Sequence, residues 1–182
     1  MLQLRANLPE SIGWQNVLGG LAPDNDQPMP LNLREMIQGH WRQIHERLGT
    51  EFNFDFWIRC QPRRDTYKAC RAVIAAANQG YEDAMIEGIQ KAYYLNAMNP
   101  SNPDTLIEIA SGVGMEQGRF ERDLDSEKTE SDLRQQLALR DRMGVRSYPS
   151  LVLESSSGFV TIAHDYLDYR PTLIDIQSHV NR

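Results

Sequence analysis

The stretch Met143-Gly144-Val145-Arg146-Ser147-Tyr148-Pro149-Ser150-Leu151-Val152-Leu153-Glu154 constrains this chain more than any other. A glycine closes a helical pattern, a short turn follows, and a proline leads straight into an apolar run. Proline has no N–H to give to a strand ladder, so it is confined to a strand's first residue, an edge or a bulge. After a bulky residue at such an entry, it is placed for a cis peptide in a tight turn. The Tyr148–Pro149 bond is therefore expected to be cis, with a strand over Ser150–Leu153. A second strand is expected at Phe159–Ile162, joined to the first by the hairpin signal Ser155-Ser156-Ser157-Gly158.

The rest of the chain reads mostly as helix. Ile12–Leu18 has the apolar character of a buried strand, ended by Gly19-Gly20. Pro23–Pro30 is a loop rich in Asp, Asn and Pro. Asn32 is the expected cap of a helix whose apolar positions Leu33, Met36, Ile37, Trp41, Ile44 and Leu48 follow the 3.6 period, with Gly49 as its stop. Phe52–Trp57 alternates, as a half-exposed extended segment or a loop would. Helices are expected at Ala69–Asn78, at Glu82–Leu95, and at Thr105–Ser111, where Asn102 and Pro103 form a start signal. Two more follow at Gln117–Leu124 and at Ser126–Met143, the latter closed by Gly144. A last helix spans Thr172–His179. Periodicity alone thus gives an α/β chain with a helical insertion.

Three further segments carry a family resemblance. Asn16-Val17-Leu18-Gly19-Gly20-Leu21-Ala22-Pro23-Asp24 is similar to the strand and turn after the first helix of DsbA-like proteins. Arg63-Arg64-Asp65-Thr66-Tyr67-Lys68-Ala69-Cys70-Arg71-Ala72-Val73 is similar to a helix start of the cytoplasmic protein-disulfide isomerase branch, with Asp65 and Lys68 in place of the usual Ser and Pro. Gln90-Lys91-Ala92-Tyr93-Tyr94 matches a helix end of the same branch. The segment from Gly144 to the strand resembles the cis-proline loop of thioredoxin folds. The resemblance implies a thioredoxin-like, DsbA-type sheet, with residues 1–30 and 144–182 in the thioredoxin-like domain and 31–143 as an all-helical insertion. It further implies that Ser147, Tyr148 and Pro149 form the substrate-binding loop, where the residue before the proline offers its backbone to an extended peptide. Ser147 and Ser150 replace the commoner Gly and Thr.

Family members open with a strand and then Asp-Pro-x-Cys-x-x-Cys-Trp, whereas this sequence begins Met1-Leu2-Gln3-Leu4-Arg5. About twenty residues of the family pattern, a short strand and a few helical turns, have no counterpart here. The expectation is a member of the thiol-disulfide oxidoreductase family that is truncated or redox-inactive as written, with no catalytic residue of its own. Two alternatives remain. One is a non-catalytic module that binds a peptide or partner through the cis-proline surface. The other is a glutathione-linked transferase or isomerase of a related branch. The expected partner is a peptide or a protein thiol substrate. An absent central strand would leave a gap in the sheet, to be closed directly or filled by strand exchange in a homodimer.

Other chemistries are disfavoured by composition and spacing. A net charge of −6 with interleaved basic residues lacks the basic footprint of nucleic-acid binding. The local cluster Arg59, Arg63 and Arg64 reads as a solvated helix approach. No apolar run is long enough to span a bilayer. His40 and His45 are five apart and diverge on a helix, so no metal site is expected, and no glycine fingerprint points to a nucleotide cofactor. Cys60 and Cys70 do not make a disulfide framework, which favours a reducing, cytoplasmic compartment. Cys70, among alanines on an apolar helix face, is expected to be buried and inert. Trp14, Trp41, Trp57, Tyr93 and Tyr94 are read as packing residues.

Overall fold

The structure, a computed structural model, describes residues Leu2–Val180. It divides into two compact units: Met1–Gly19 with Gln136–Arg182, and Gly20–Gln135.

In the first unit, helix α1 (Leu2–Ala6) precedes an extended segment, and the chain returns through a hairpin and a helix. Strands β1 (Leu151–Ser155) and β2 (Gly158–Ile162) pair antiparallel, with Leu151 opposite Ile162 and Leu153 opposite Val160. These pairs sit two residues apart, so they share one face, and that face is the core. Leu4, Ile162 and Ile176 are buried there, with Trp14, Leu173 and their neighbours packed around them. The turn closes at Gly158, whose φ of 115° is open to glycine and strained for other residues. The C-terminal helix, α9, runs over Tyr169–Val180 and so starts two residues before Pro171. Proline is tolerated there because N–H groups of a first helical turn have no intrahelical partner.

One expectation for this unit is corrected. Ile12–Leu18 forms no strand. A strand exists only with a neighbour within hydrogen-bonding distance, and among the described residues the sheet is β1 and β2 alone.

The second unit is helical. Helix α2 (Leu31–Leu48) ends at Gly49, which takes the left-handed conformation (φ 69°) and donates its N–H to His45 O. Its start differs from the sequence expectation. The Pro30 carbonyl accepts from Leu33 and Arg34, so Pro30 is the cap and Asn32 lies inside the first turn. The alternating run Phe52–Trp57 is likewise corrected: Phe56–Arg59 is a short helix, α3. The alternation reflects ring packing, not a pleat. Phe52, Phe54, Phe56, Trp57, Tyr93 and Tyr94 all gather around Trp41, with ring centroids 5.0–6.1 Å from it. Such spacings, with three of the six pairs edge-on and one stacked, suit the quadrupoles of aromatic rings.

Helices α4 (Tyr67–Ala77), α5 (Glu82–Tyr94), α6 (Pro103–Gly112) and α7 (Gln117–Leu124) make the other half of this unit. α4 packs against the other three. Its buried residues include Ala72, Ala75 and Ala76, none with exposed surface, and small side chains let neighbouring backbones come close. A similar approach occurs at Gly88 of α5, where a Cβ would lie 2.4 Å from Ile109 Cγ2. Arg71 leaves the α4 surface to pair with both Asp24 and Glu130. Helix α8 (Glu127–Arg142) begins in this unit and ends in the first, stopped by Gly144 at φ 69°.

Trp41→Ala is expected to destabilise the protein by about 3–5 kcal/mol, because six rings lose their common neighbour. Urea unfolding monitored by circular dichroism checks this. A loss under about 1 kcal/mol would show that the ring cluster is not a core.

Candidate functional site: the cis-proline loop

The site is built on the last turns of α8. Gln136 and Arg140 are four apart, hence one above the other on a helix face. Gln136 Oε1 accepts the Leu18 N–H at 2.8 Å, and Arg140 donates to the Gly19 carbonyl at 2.6 Å. Two helical side chains thus tie down the end of the extended segment. Asp141 accepts from the same guanidinium at 2.8 Å. Partial burial pulls the Arg140 pKa down, but its hydrogen bonds to Asp141 and Tyr148 outweigh this and the net direction is up.

After Gly144 the chain turns into the loop, and Tyr148–Pro149 is cis, in agreement with the sequence expectation. Ser147, Tyr148 and Pro149 are all exposed. The Tyr148 hydroxyl donates to Gly19 O at 2.9 Å. Its ring lies so close over Gly19 that a Cβ there would sit 2.2 Å from Tyr148 Cε1. Ser150 Oγ donates to Ser147 O at 2.6 Å, closing the loop across the proline. The loop that sequence reading singled out is therefore one hydrogen-bonded piece. Gly19 and Arg140 belong to it and were missed. In the sequence alone, Gly19 marks only the end of an expected strand and Arg140 only a helix position. The available signal was a paired glycine at the end of an apolar extended run, which marks close backbone approach.

Beside the loop, the first unit contains a cavity of about 940 Å³. It is lined by residues of the 12–17 stretch and of β1, by Leu139 of α8 and Met143 just beyond it, and by Ile176 and Val180 of α9. A five-residue strand is ~17 Å long, takes ~4.8 Å between its neighbours and fills a layer ~10 Å deep, or roughly 800 Å³. The cavity is thus about the size of one strand.

Neither cysteine lies in this unit. Cys60 and Cys70 are both free, and both fall in the helical unit. Burial pushes the Cys70 thiol up to about 11, although a backbone hydrogen bond at Gly20 and the Arg71 charge pull the other way. Cys60 is half-buried at the end of α3 and donates to Ala97 O at 3.1 Å. Burial raises its pKa too, and Arg59 opposes this. A nucleophilic thiol needs a lowered pKa and access. Neither cysteine has that combination. Arg59, Arg63 and Arg64 do not form a shared anion site: Arg63 is spent on Ser101 O and Asn102 Oδ1. Among the described residues, no three His, Cys, Asp or Glu side chains converge as metal ligands would, and no helix is long and apolar enough to cross a membrane.

A cis-proline at the mouth of a strand, in an α/β unit interrupted in sequence by a helical block, is the layout of a thioredoxin-type protein. The model of the DSBA-like thioredoxin domain matches residues 12–168. This chain belongs to that family, whose chemistry is thiol–disulfide oxidoreduction. Among curated relatives, the ClpXP adapter protein SpxH of Halalkalibacterium halodurans is 28% identical over 121 residues, 65% of this chain. The chain spans 39% of that relative's length. Among solved structures, the cytosolic disulfide reductase DsbM from Pseudomonas aeruginosa superposes with a TM-score of 0.77 at 22% identity, covering 99% of this chain and 89% of that one. The same protein with GSH gives 0.76 at 21%, covering 100% and 90%. At these identities the likeness establishes the fold.

Alkylation follows from the thiol environments. Iodoacetamide is expected to label Cys70 far more slowly than a free thiol at pH 8. Its rate should rise about tenfold per pH unit towards pH 11, because the reactive thiolate is the minor form below the pKa. Mass spectrometry after timed quenching measures it. Rapid, pH-insensitive labelling of Cys70 would contradict the burial.

Proposed function

We propose that this chain is the polypeptide-holding part of a thiol–disulfide system. The loop Ser147–Tyr148–Pro149 receives an extended, cysteine-bearing segment through backbone pairing at Tyr148, and Cys60 and Cys70 take no part in exchange. The observation that carries this reading is the exposed loop held from behind by Gly19 and Arg140. A backbone edge that is both fixed and open is what strand-adding recognition requires. The family's redox chemistry makes a cysteine-bearing segment the natural ligand. The name of the SpxH relatives, an adapter protein, supports a holding role, and the DsbM neighbours support thiol substrates in a cytosolic setting. We place the protein in that reducing compartment, in keeping with its two free thiols.

The open cavity favours a second reading for assembly. A strand-sized slot beside an unpaired strand edge is an acceptor site for another copy's extended segment, giving a homodimer. Light scattering over a hundredfold range of concentration tests it. A mass of one chain throughout would rule the homodimer out.

The main reading is tested with an eight-residue apolar peptide carrying one central cysteine. Titration is expected to move the amide resonances of Ser147, Tyr148 and Ser150, and N-methylation of the peptide's central residues should abolish the effect. The chain alone should not turn over insulin with dithiothreitol. Turnover that disappears in Cys60→Ser or Cys70→Ser would overturn the proposal, as would peptide binding centred away from the loop.

A further inference from the structure

The loop backbone can only be read by a ligand if Tyr148 is held still, and its immediate chain neighbours do not suffice for that. Pro149 fixes its own φ, and Ser150 ties back to Ser147. Tyr148 itself is held through its side chain, at three points. The Cδ1, Cε1 and Cζ side of the ring abuts Gly19, all three atoms within 2.8 Å of where a Cβ would stand. The hydroxyl donates to Gly19 O. Arg140 donates to the same oxygen from α8, so guanidinium and phenol converge on one carbonyl. Arg140 is itself braced by Asp141, with only 18% of its side chain exposed. Tyr148 as a residue remains 42% exposed, so the seat lies behind it and leaves an open side.

We infer that Gly19 and Arg140 are positioning residues for the cis-proline loop: they seat the Tyr148 ring and thereby set the Tyr148 backbone N–H and C=O at the angle an extended ligand pairs with. This rests on the peptide-holding role proposed above. Gly19 is required for lack of a side chain, not for backbone freedom. Any Cβ would occupy the ring's place. Arg140 is required because it binds the Gly19 carbonyl that the phenol also uses while pairing with Asp141, which a lysine's single ammonium on a flexible stem does not reproduce.

The test combines a spectroscopic signature of the seat with binding of the cysteine peptide. In the wild type, the Gly19 α-proton resonances are expected to be displaced by the Tyr148 ring current, and the displacement should vanish in Tyr148→Ala. In Arg140→Met it should shrink, with peptide affinity falling about three- to tenfold, the effect of one lost hydrogen bond. Gly19→Ala should weaken the peptide by about tenfold or more. The double variant Gly19→Ala with Tyr148→Ala should bind no worse than Tyr148→Ala alone, since the added methyl harms only through the ring it displaces. Arg140→Lys should fail to restore the wild-type shift. Independent, additive losses from Gly19→Ala and Tyr148→Ala would overturn the inference, as would a Gly19 resonance indifferent to Tyr148. If the wild type shows the ring-current displacement but binds no peptide, the peptide-holding role falls and the seat stands. If it binds peptide without the displacement, the seat falls and the role stands. Arg140→Met adds no atoms at the close contact and keeps the test decisive should Gly19→Ala fail to fold.

Discussion

The Gly19 carbonyl oxygen has two lone pairs and the structure uses both, one for Arg140 and one for Tyr148. Around this one acceptor the first unit is organised. It joins the end of the extended segment to the last turns of α8 and to the loop that enters β1. A half-buried carbonyl is a group that folding must satisfy. Here it is satisfied by side chains of different elements and not by a ladder partner. The consequence is that an extended segment with no strand neighbour still has a defined place. The adjacent Leu18 N–H, taken by Gln136 one helical turn earlier, reinforces the same attachment. Gln136 and Arg140 stand on one face of one helix, so the loop and the segment share a rigid reference.

The second unit solves the opposite problem, that of filling space. One half is filled with rings and the other with methyl groups. Around Trp41 the packing is broad and edge-on, and the phenols of Tyr93 and Tyr94 are pushed up in pKa chiefly by burial. Around α4 the packing is close, because alanines leave room for backbone and for the larger Met85, Leu106 and Phe120, all without exposed surface. Cys70 belongs to that second regime. Its thiol behaves as one more small apolar group, which is the physical reason it stays protonated.

What could be read from the sequence was whatever is governed by local chemistry. The stop at Gly49, the span of α7, the close of α8 at Gly144, the hairpin and the cis bond before Pro149 are all set by residues within a few positions of one another. The errors fall where a distant partner decides. Ile12–Leu18 has the composition of a strand but no neighbour to pair with among the described residues. Phe52–Trp57 has the alternation of a strand, yet its rings are drawn to Trp41. Asn32 looked like a helix cap, but the preceding proline's carbonyl takes that position, which depends on the path of the loop before it. At the site, Ser147, Tyr148 and Pro149 were legible because proline chemistry marks them. Gly19 and Arg140 were not, since their part depends on contacts spanning more than a hundred residues.

The alanine seam of α4 carries a consequence for how this chain can change over time. Ala72, Ala75 and Ala76 have no room to grow, and inserting methylenes into a filled core forces off-rotamer side chains and backbone shifts. Neutral drift through larger residues is therefore blocked along that ridge, while the broad ring cluster can trade one aromatic for another at modest loss. Divergence of the helical block should then be uneven. Its volume is free to vary around Trp41, and α4 stays the fixed gauge against which α5, α6 and α7 must each remain in register.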